Sequence, residues 1–267
     1  MIRRFNRYEL KYVLPAADVE RIVEDLKTMT EPDTHGGLNG YRLLSLYYDS
    51  PALDCFWAKI EGLKYRRKLR LRIYPGPELE GGLDHVTEGM VEIKQRMNRT
   101  VQKRRLKLPL EEAEQLCAGI MPERELDDMD RQVASEVQYM VRAMHLQPTC
   151  ITAYRRQAFV GGLYDAGLRI TFDTHVGYRV HGLKVNLDAK NHLFLSPDWS
   201  IMEVKVNDAI PDWVTSLLAR HGCQMRRVSK YCAGVAMSKD MDVIPLAMAP
   251  GKDGKEDGLY GRTTERS

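Results

Sequence analysis

No stretch of this chain approaches the run of about 20 apolar residues that a membrane-spanning helix needs. Its first residues, MIRRFNRYELKYV, also lack the apolar core of a signal peptide. These absences predict a cytoplasmic protein with no integral membrane segment. Cysteine is sparse and unpatterned. Cys55, Cys117, Cys150, Cys223 and Cys232 are odd in number and never in C-x-x-C spacing, which argues against a disulfide framework and against a zinc site. The seven histidines make no H-x-H or H-x-x-E-H pattern, so metal chemistry built on histidine has no support. An excess of one charge is missing too. Lys and Arg number 40 against 37 Asp and Glu, a net charge of +3, too small for a protein that coats nucleic acid. With no P-loop or RNA-binding signature either, no nucleic-acid partner is expected. Any cationic chemistry must be local.

What is present suffices for a folded core, since 43% of 267 residues are hydrophobic. Residues 15–29 carry Val19, Ile22, Val23, Leu26 and Met29 at helical spacing behind Pro15. A second helix opens at Ser50-Pro51 and ends at Gly62. A third helical region covers about 110–146 with a break near Pro122, and a fourth runs from Pro211 to His221 before Gly222. Between them lie eight runs of period two, at 8–14, 43–49, 64–74, 90–96, 100–108, 151–160, 168–174 and 201–206. The polar, Gly-rich stretch from Pro250 reads as a disordered tail over 250–267, after a single domain over 1–249.

Nearly every one of these strands has an ionic face. Glu9 and Lys11, Arg70 and Arg72, Glu92 and Lys94, Lys103 and Arg105, Arg169 and Asp173, and Glu203 and Lys205 each share a side. On one strand alone, such alternation usually marks the solvated side of a half-buried sheet. Here Arg and Lys dominate and recur on strands distant in sequence, where stacked cations would repel. A multivalent anion makes such a surface tolerable through charge-assisted hydrogen bonds. The expected fold is therefore α+β: a closed eight-stranded antiparallel barrel with a cationic lumen, and helices packed on its apolar outside. A bound triphosphate calls for a divalent cation, and hard cations choose carboxylate oxygen. Glu203 is the first candidate ligand. Its alternative role is an internal ion pair with Lys205 or a neighbouring Arg, and spacing favours neither.

Taken in order, RYELKYVL, LRLRIY, VEIKQR, VQKRRLKL, AYRRQAF, LRITFD, EVKV and RRVSKY resemble the strand motifs of the VTC domain. This is the polyphosphate polymerase module of the triphosphate tunnel superfamily, and the likeness runs from about residue 3 to 237. The resemblance implies an enzyme that moves the γ-phosphate of ATP onto a growing polyphosphate chain inside a basic tunnel and releases ADP. It implies Mn²⁺ or Mg²⁺ as cofactor. Carried over motif by motif, Lys11, Arg70, Arg72, Lys94, Arg156, Arg169, Lys205 and Lys230 would act on the phosphates. Lys103, Arg105, Tyr154, Arg227 and Ser229 would add substrate contacts, and Glu203 would hold the metal. Related triphosphatases and cyclases begin with an E-x-E-x-K strand, whereas here Arg7 stands in the place of the first acid before Glu9 and Lys11. That substitution favours a polymerase over a tripolyphosphatase or nucleoside triphosphatase. A binding module without turnover is the third reading. Lys68 shares the cationic face without motif support, so its loss is expected to matter least beside Arg70 and Arg72.

Overall fold

A computed structural model describes residues 7–34, 36–76, 82–98, 100–207 and 209–242, so the tail expected over 250–267 lies outside the described residues. In chain order the strands are β1 (Arg7–Pro15), β2 (Thr30–Pro32), β3 (Tyr41–Asp49), β4 (Tyr65–Ile73), β5 (Glu88–Met97) and β6 (Thr100–Pro109). They continue with β7 (Gln147–Gly161), β8 (Arg169–Arg179), β9 (His192–Leu193) and β10 (Trp199–Asn207). The helices are α1 (Ala16–Leu26), α2 (Asp54–Ile60), α3 (Leu110–Cys117), α4 (Asp128–Ala143), α5 (Asp212–Arg220) and α6 (Lys230–Ser238). Each of the eight period-two runs becomes a strand, and all strand pairings are antiparallel, in the order β1-β10-β8-β7-β3-β4-β5-β6.

Alternation divides the sheet into an apolar convex side and an ionic concave side. On the convex side, Leu69, Leu71 and Ile73 of β4, Val91 and Ile93 of β5, and Leu106 and Leu108 of β6 pack on Ala113 and Leu116 of α3 and Val137 and Met140 of α4. Farther round, Leu14 of β1, Met202 and Val204 of β10, and Ile170 and Phe172 of β8 pack on Ile22 and Leu26 of α1 and Val214 and Leu217 of α5. Burying one such side chain contributes about 1.5–3 kcal/mol, so these two layers hold the curve of the sheet.

The closed barrel needs correction. Among the described residues, hydrogen bonding ends at β1 on one side and β6 on the other. The reason lies at the free edge of β1. Tyr12 bridges to Met225, and the Arg226 N–H donates to the Lys11 carbonyl at 2.7 Å, so the run-in to α6 takes the edge that β6 would need. Covering an edge in this way also removes it as a template for another chain.

The placement of every helix on the outside needs correction as well. Helix α6, which sequence periodicity does not reveal, packs on the concave face. Tyr231, Cys232, Ala233, Val235 and Ala236 join Cys150, Val176, Tyr178 and Ile201 of the sheet and Phe56 of α2 in one cluster. A helix that is apolar all round is a buried helix, and it shows no amphipathic stripe. Asp49 anchors it. Its carboxylate accepts the Cys55 and Phe56 N–H groups at the start of α2, at 2.8 and 2.9 Å, and the Tyr231 hydroxyl of α6. The approach is close: a Cβ at Gly234 would meet Tyr178 Cβ at 2.8 Å and Cys150 Sγ at 3.1 Å. Gly234→Ala therefore should lower stability by about 1–3 kcal/mol through overpacking, against the ~1 kcal/mol that alanine contributes in an open helix. Thermal or denaturant unfolding checks this, and a stabilised variant would show that α6 is not held against β7 and β8.

Candidate functional site

Strand register brings the charged side chains together. Lys11 lies opposite Glu203 and Glu9 opposite Lys205 across β1 and β10. Lys205 lies opposite Arg169, and Arg156 opposite Asp173, on the next two pairings. On the other half, Arg70 faces Glu92, which in turn faces Arg105 on β6. Opposite charges set side by side on a sheet attract, so the acids interleave with the cations.

Glu203 is the hub, with 5% of its side chain exposed. Its Oε1 accepts from Lys11 at 2.8 Å and from Lys230 at 3.1 Å. Its Oε2 accepts from Lys205 at 2.7 Å and lies 3.6 Å from Arg156. Burial alone would raise the Glu203 pKa, but Lys11, Lys205 and Lys230 outweigh it and hold the carboxyl well below the usual range. Asp173, fully buried, takes a two-point contact from Arg156 at 2.6 and 2.7 Å and an ion pair with Lys230 at 2.5 Å. Glu92 accepts Arg70 Nε at 2.6 Å and pairs with Lys103. Against the effect of its burial, Arg70, Arg72 and Lys103 keep it ionised. Glu9 binds Lys94 at 2.8 Å and Lys11 at 3.1 Å. The Glu9–Lys94 contact joins β1 to β5, so the two ends of the sheet meet through side chains.

Hydroxyl groups complete the face. Arg72, 5% exposed, has no carboxylate within ion-pair distance among the described residues and instead donates to Ser45 Oγ at 2.9 Å and the Tyr154 hydroxyl at 3.0 Å. Arg156 and Lys230 lie over the Tyr154 ring at 5.2 and 4.8 Å. Arg169 pairs with Asp33 and donates to the Tyr41 hydroxyl at 3.0 Å. Three of the residues expected from sequence lie at the margin of this face. Arg105 is exposed on the edge strand β6, and Arg227 is exposed in the run-in to α6 without a polar partner among the described residues. Ser229 is the N-cap of α6, its Oγ accepting from the Cys232 N–H at 3.4 Å.

Sequence reasoning missed several members. Tyr47 accepts from Arg70 Nη1 at 3.0 Å and stacks on Tyr231, with centroids 5.0 Å apart. Asp33, Tyr41 and Ser45 also belong, as do the buried hydroxyls of Thr152 and Thr171, which find no hydrogen-bond partner among the described residues. The signal for Tyr47 and Ser45 was the odd-numbered side of LLSLYYD. That side carries no charge before Asp49, and only the pairing of β3 with β4 sets Ser45 beside Arg72 and Tyr47 beside Arg70.

Among the described residues, Lys11, Arg70, Arg72, Lys94, Lys103, Arg156, Arg169, Lys205 and Lys230 thus share the face with the acids that pair them, Glu9, Asp33, Glu92, Asp173 and Glu203. The surplus is positive and suits an anion of several charges. A protein-held divalent cation is a poorer fit. Both oxygens of Glu203 are engaged by cations, and among the described residues no three His, Cys, Asp or Glu side chains converge as a metal cage would require.

Residues 6–239 match the family model of the VTC domain. The chain belongs to that family. Among curated proteins, none is similar enough to serve as a relative. Among solved structures, a candidate adenylate cyclase of Vibrio parahaemolyticus is 13% identical, with 87% of this chain and 98% of that chain covered and a TM-score of 0.44. One of Bacillus halodurans is 11% identical, covering 84% and 95%, with a TM-score of 0.46. A protein of Pyrococcus horikoshii OT3 is 13% identical, covering 87% and 99%, with a TM-score of 0.42. These likenesses are distant and say nothing of the chemistry of this VTC domain.

Two outcomes follow from the electrostatics of the VTC domain. Glu203→Gln keeps the shape but leaves two buried cations, Arg156 and Lys230, and two half-buried ones, Lys11 and Lys205, without their shared charge, and should cost about 3–5 kcal/mol in denaturant unfolding. Added tripolyphosphate should recover part of that loss, and an unchanged midpoint would show that the cations are satisfied without Glu203. The second outcome concerns pH. Burial pushes the Lys103 ammonium down to about 7 and that of Lys205 down to about 8. Burial works against ionisation of Tyr47, but Arg70 and Arg72 prevail and bring its phenol down to about 8. A polyanion favours the protonated forms of all three, so its binding takes up protons. Affinity should be full only where all three are protonated, well below about 7, and fall as pH rises through about 7 and then about 8. Calorimetry of tripolyphosphate binding in buffers of different ionisation enthalpy reads this uptake directly, and its absence would mean that these groups do not titrate there.

Proposed function

We propose that this VTC domain binds ATP and the end of a polyphosphate chain on its concave face and transfers the γ-phosphoryl group to the chain, releasing ADP. The observation that supports the reading is the surplus of inward-facing Lys and Arg, Arg72, Arg156 and Lys230 among them buried, around a few carboxylates held in ion pairs. In the transfer, a terminal phosphate oxygen of the chain attacks the γ-phosphorus, and the bond from that phosphorus to the β,γ-bridging oxygen breaks. The transition state is loose, so catalysis is mostly alignment and charge stabilisation. Arg70, Arg72 and Arg156 offer planar donors to the equatorial oxygens, while Lys11, Lys205 and Lys230 offset charge on the leaving group. The attacking oxygen is already an anion and needs no general base. Mn²⁺ or Mg²⁺ would enter on the phosphates of the nucleotide rather than in a cage of protein carboxylates, since such ions take few protein ligands when phosphates are present.

Incubation with ATP and Mn²⁺ or Mg²⁺ should yield ADP and a phosphate polymer resolved by gel. Arg70→Ala and Arg72→Ala should each lower the rate about 10²-fold or more, as for other lost transition-state donors. Free phosphate as the sole product would replace the polymerase by a hydrolase. Polyphosphate binding without any ADP release would reduce the domain to a binding module.

A further inference from the structure

Along β4 and β5 the ionic face changes character. At the middle, Arg70 lies opposite Glu92, but toward the start of β4, Lys68 lies opposite Lys94 and Arg66 opposite Arg96. Like charges directly opposite on neighbouring strands destabilise a sheet, and here two such pairs follow each other on the same side. Lys94 has Glu9 as a counter-charge. Arg66, Lys68 and Arg96 have no carboxylate partner among the described residues. Arg66 Nη1 donates to the Leu63 carbonyl at 2.9 Å and Arg96 Nε to the Asn98 carbonyl at 2.8 Å, so backbone oxygens steady each guanidinium while other N–H groups stay available. Lys68 sits 4.7 Å over the Tyr231 ring, beside the first turn of α6. Helix α2 packs on both β4 and α6 and leads through residues 61–64 straight into β4, so Lys59 in its last turn adds a fourth cation, and burial, reinforced by Arg66 and Lys68, pushes its ammonium down to about 8. The four stand together at the α6 end of the concave face.

We propose that Lys59, Arg66, Lys68 and Arg96 form a second anion subsite, at the rim, which takes the part of a linear polyphosphate chain that extends beyond the central cations. This rests on the phosphate-binding reading of the central face. Arg66 lies four residues from Arg70 on one side of one strand, about 13 Å away at the usual rise, beyond the reach of a triphosphate held at Arg70. Continuity along β4 favours the same polymer in both places over an unrelated polyanion. The rim would then distinguish long chains from short ones and retain the product between additions.

Calorimetric titration of long-chain polyphosphate and of tripolyphosphate tests this on wild type and on the triple variant Lys59→Ala, Arg66→Ala, Arg96→Ala. Lys68 is kept because it touches α6. The variant should bind the long chain about tenfold or more weakly and tripolyphosphate within about twofold of wild type. Its free form should melt no lower than wild type, because an opposed Arg pair has gone. Removing Arg21, Lys27 and Arg131 from the outer helices instead should leave both affinities unchanged. Equal loss of both probes, an unaltered long-chain affinity in the folded variant, or the same loss from the outer-helix variant overturns the subsite. So does a single-stranded oligonucleotide that outcompetes polyphosphate at the rim. Wild-type protein that binds neither phosphate probe overturns the reading of the central face itself.

Discussion

A carboxylate taken out of water costs several kcal/mol unless charge and hydrogen bonds replace its hydration, and Glu203 meets that demand with cations from four separate elements. Lys11 comes from β1, Lys205 from β10, Arg156 from β7 and Lys230 from α6. The dependence is mutual, since four cations so close would repel without the anion between them. The first strand, the last strand and the last helix are thereby tied to one atom group. Asp173 and Glu92 repeat the device on smaller scales, through Arg156 with Lys230 and through Arg70 with Lys103.

The chemical surface is a by-product of where the apolar residues go. Because α1, α3, α4 and α5 cover the convex side, the charged alternates have nowhere to point but inward. There they are held by partners, in low dielectric, before any ligand arrives. Fixed charge of this kind needs little reorganisation when phosphate binds. Helix α6 sets the limit of the charged zone by filling one end of the concavity with Tyr231, Ala233 and Val235, while Lys230 in its first turn still reaches the acids.

Local pattern carried most of the strands, and it put Glu9 with Lys11, Arg70 with Arg72, and Glu203 with Lys205 on the ionic side of their own strands, whereas Arg156 came from the family resemblance. Two things lay beyond it. Period-two alternation says which residues share a side of a strand but not which strand lies beside which. The partners Asp173, Glu92 and Tyr47 therefore became visible only through register. The segment KYCAGVAMS is buried on nearly all sides, so no amphipathic stripe announces a helix, and with α6 unseen the barrel had no reason to stay open. The alternatives for Glu203, metal ligand or ion pair, differ by a few ångströms that spacing does not encode. The ammonium groups of Lys11 and Lys205 occupy its oxygens in this arrangement.

The edges of β1 have a consequence for the order in which the chain can assemble. One edge pairs with β10 and the other is covered by Met225 and Arg226, so β1, the first of these strands to be made, has both native partners on the far side of the other eight. Strands β4, β5 and β6 are neighbours in sequence and in space, and so are β7 and β8; they close short loops and can form while the chain is still growing. Strand β1 has to wait for β10, and the cationic face comes into being with the last of these strands rather than the first.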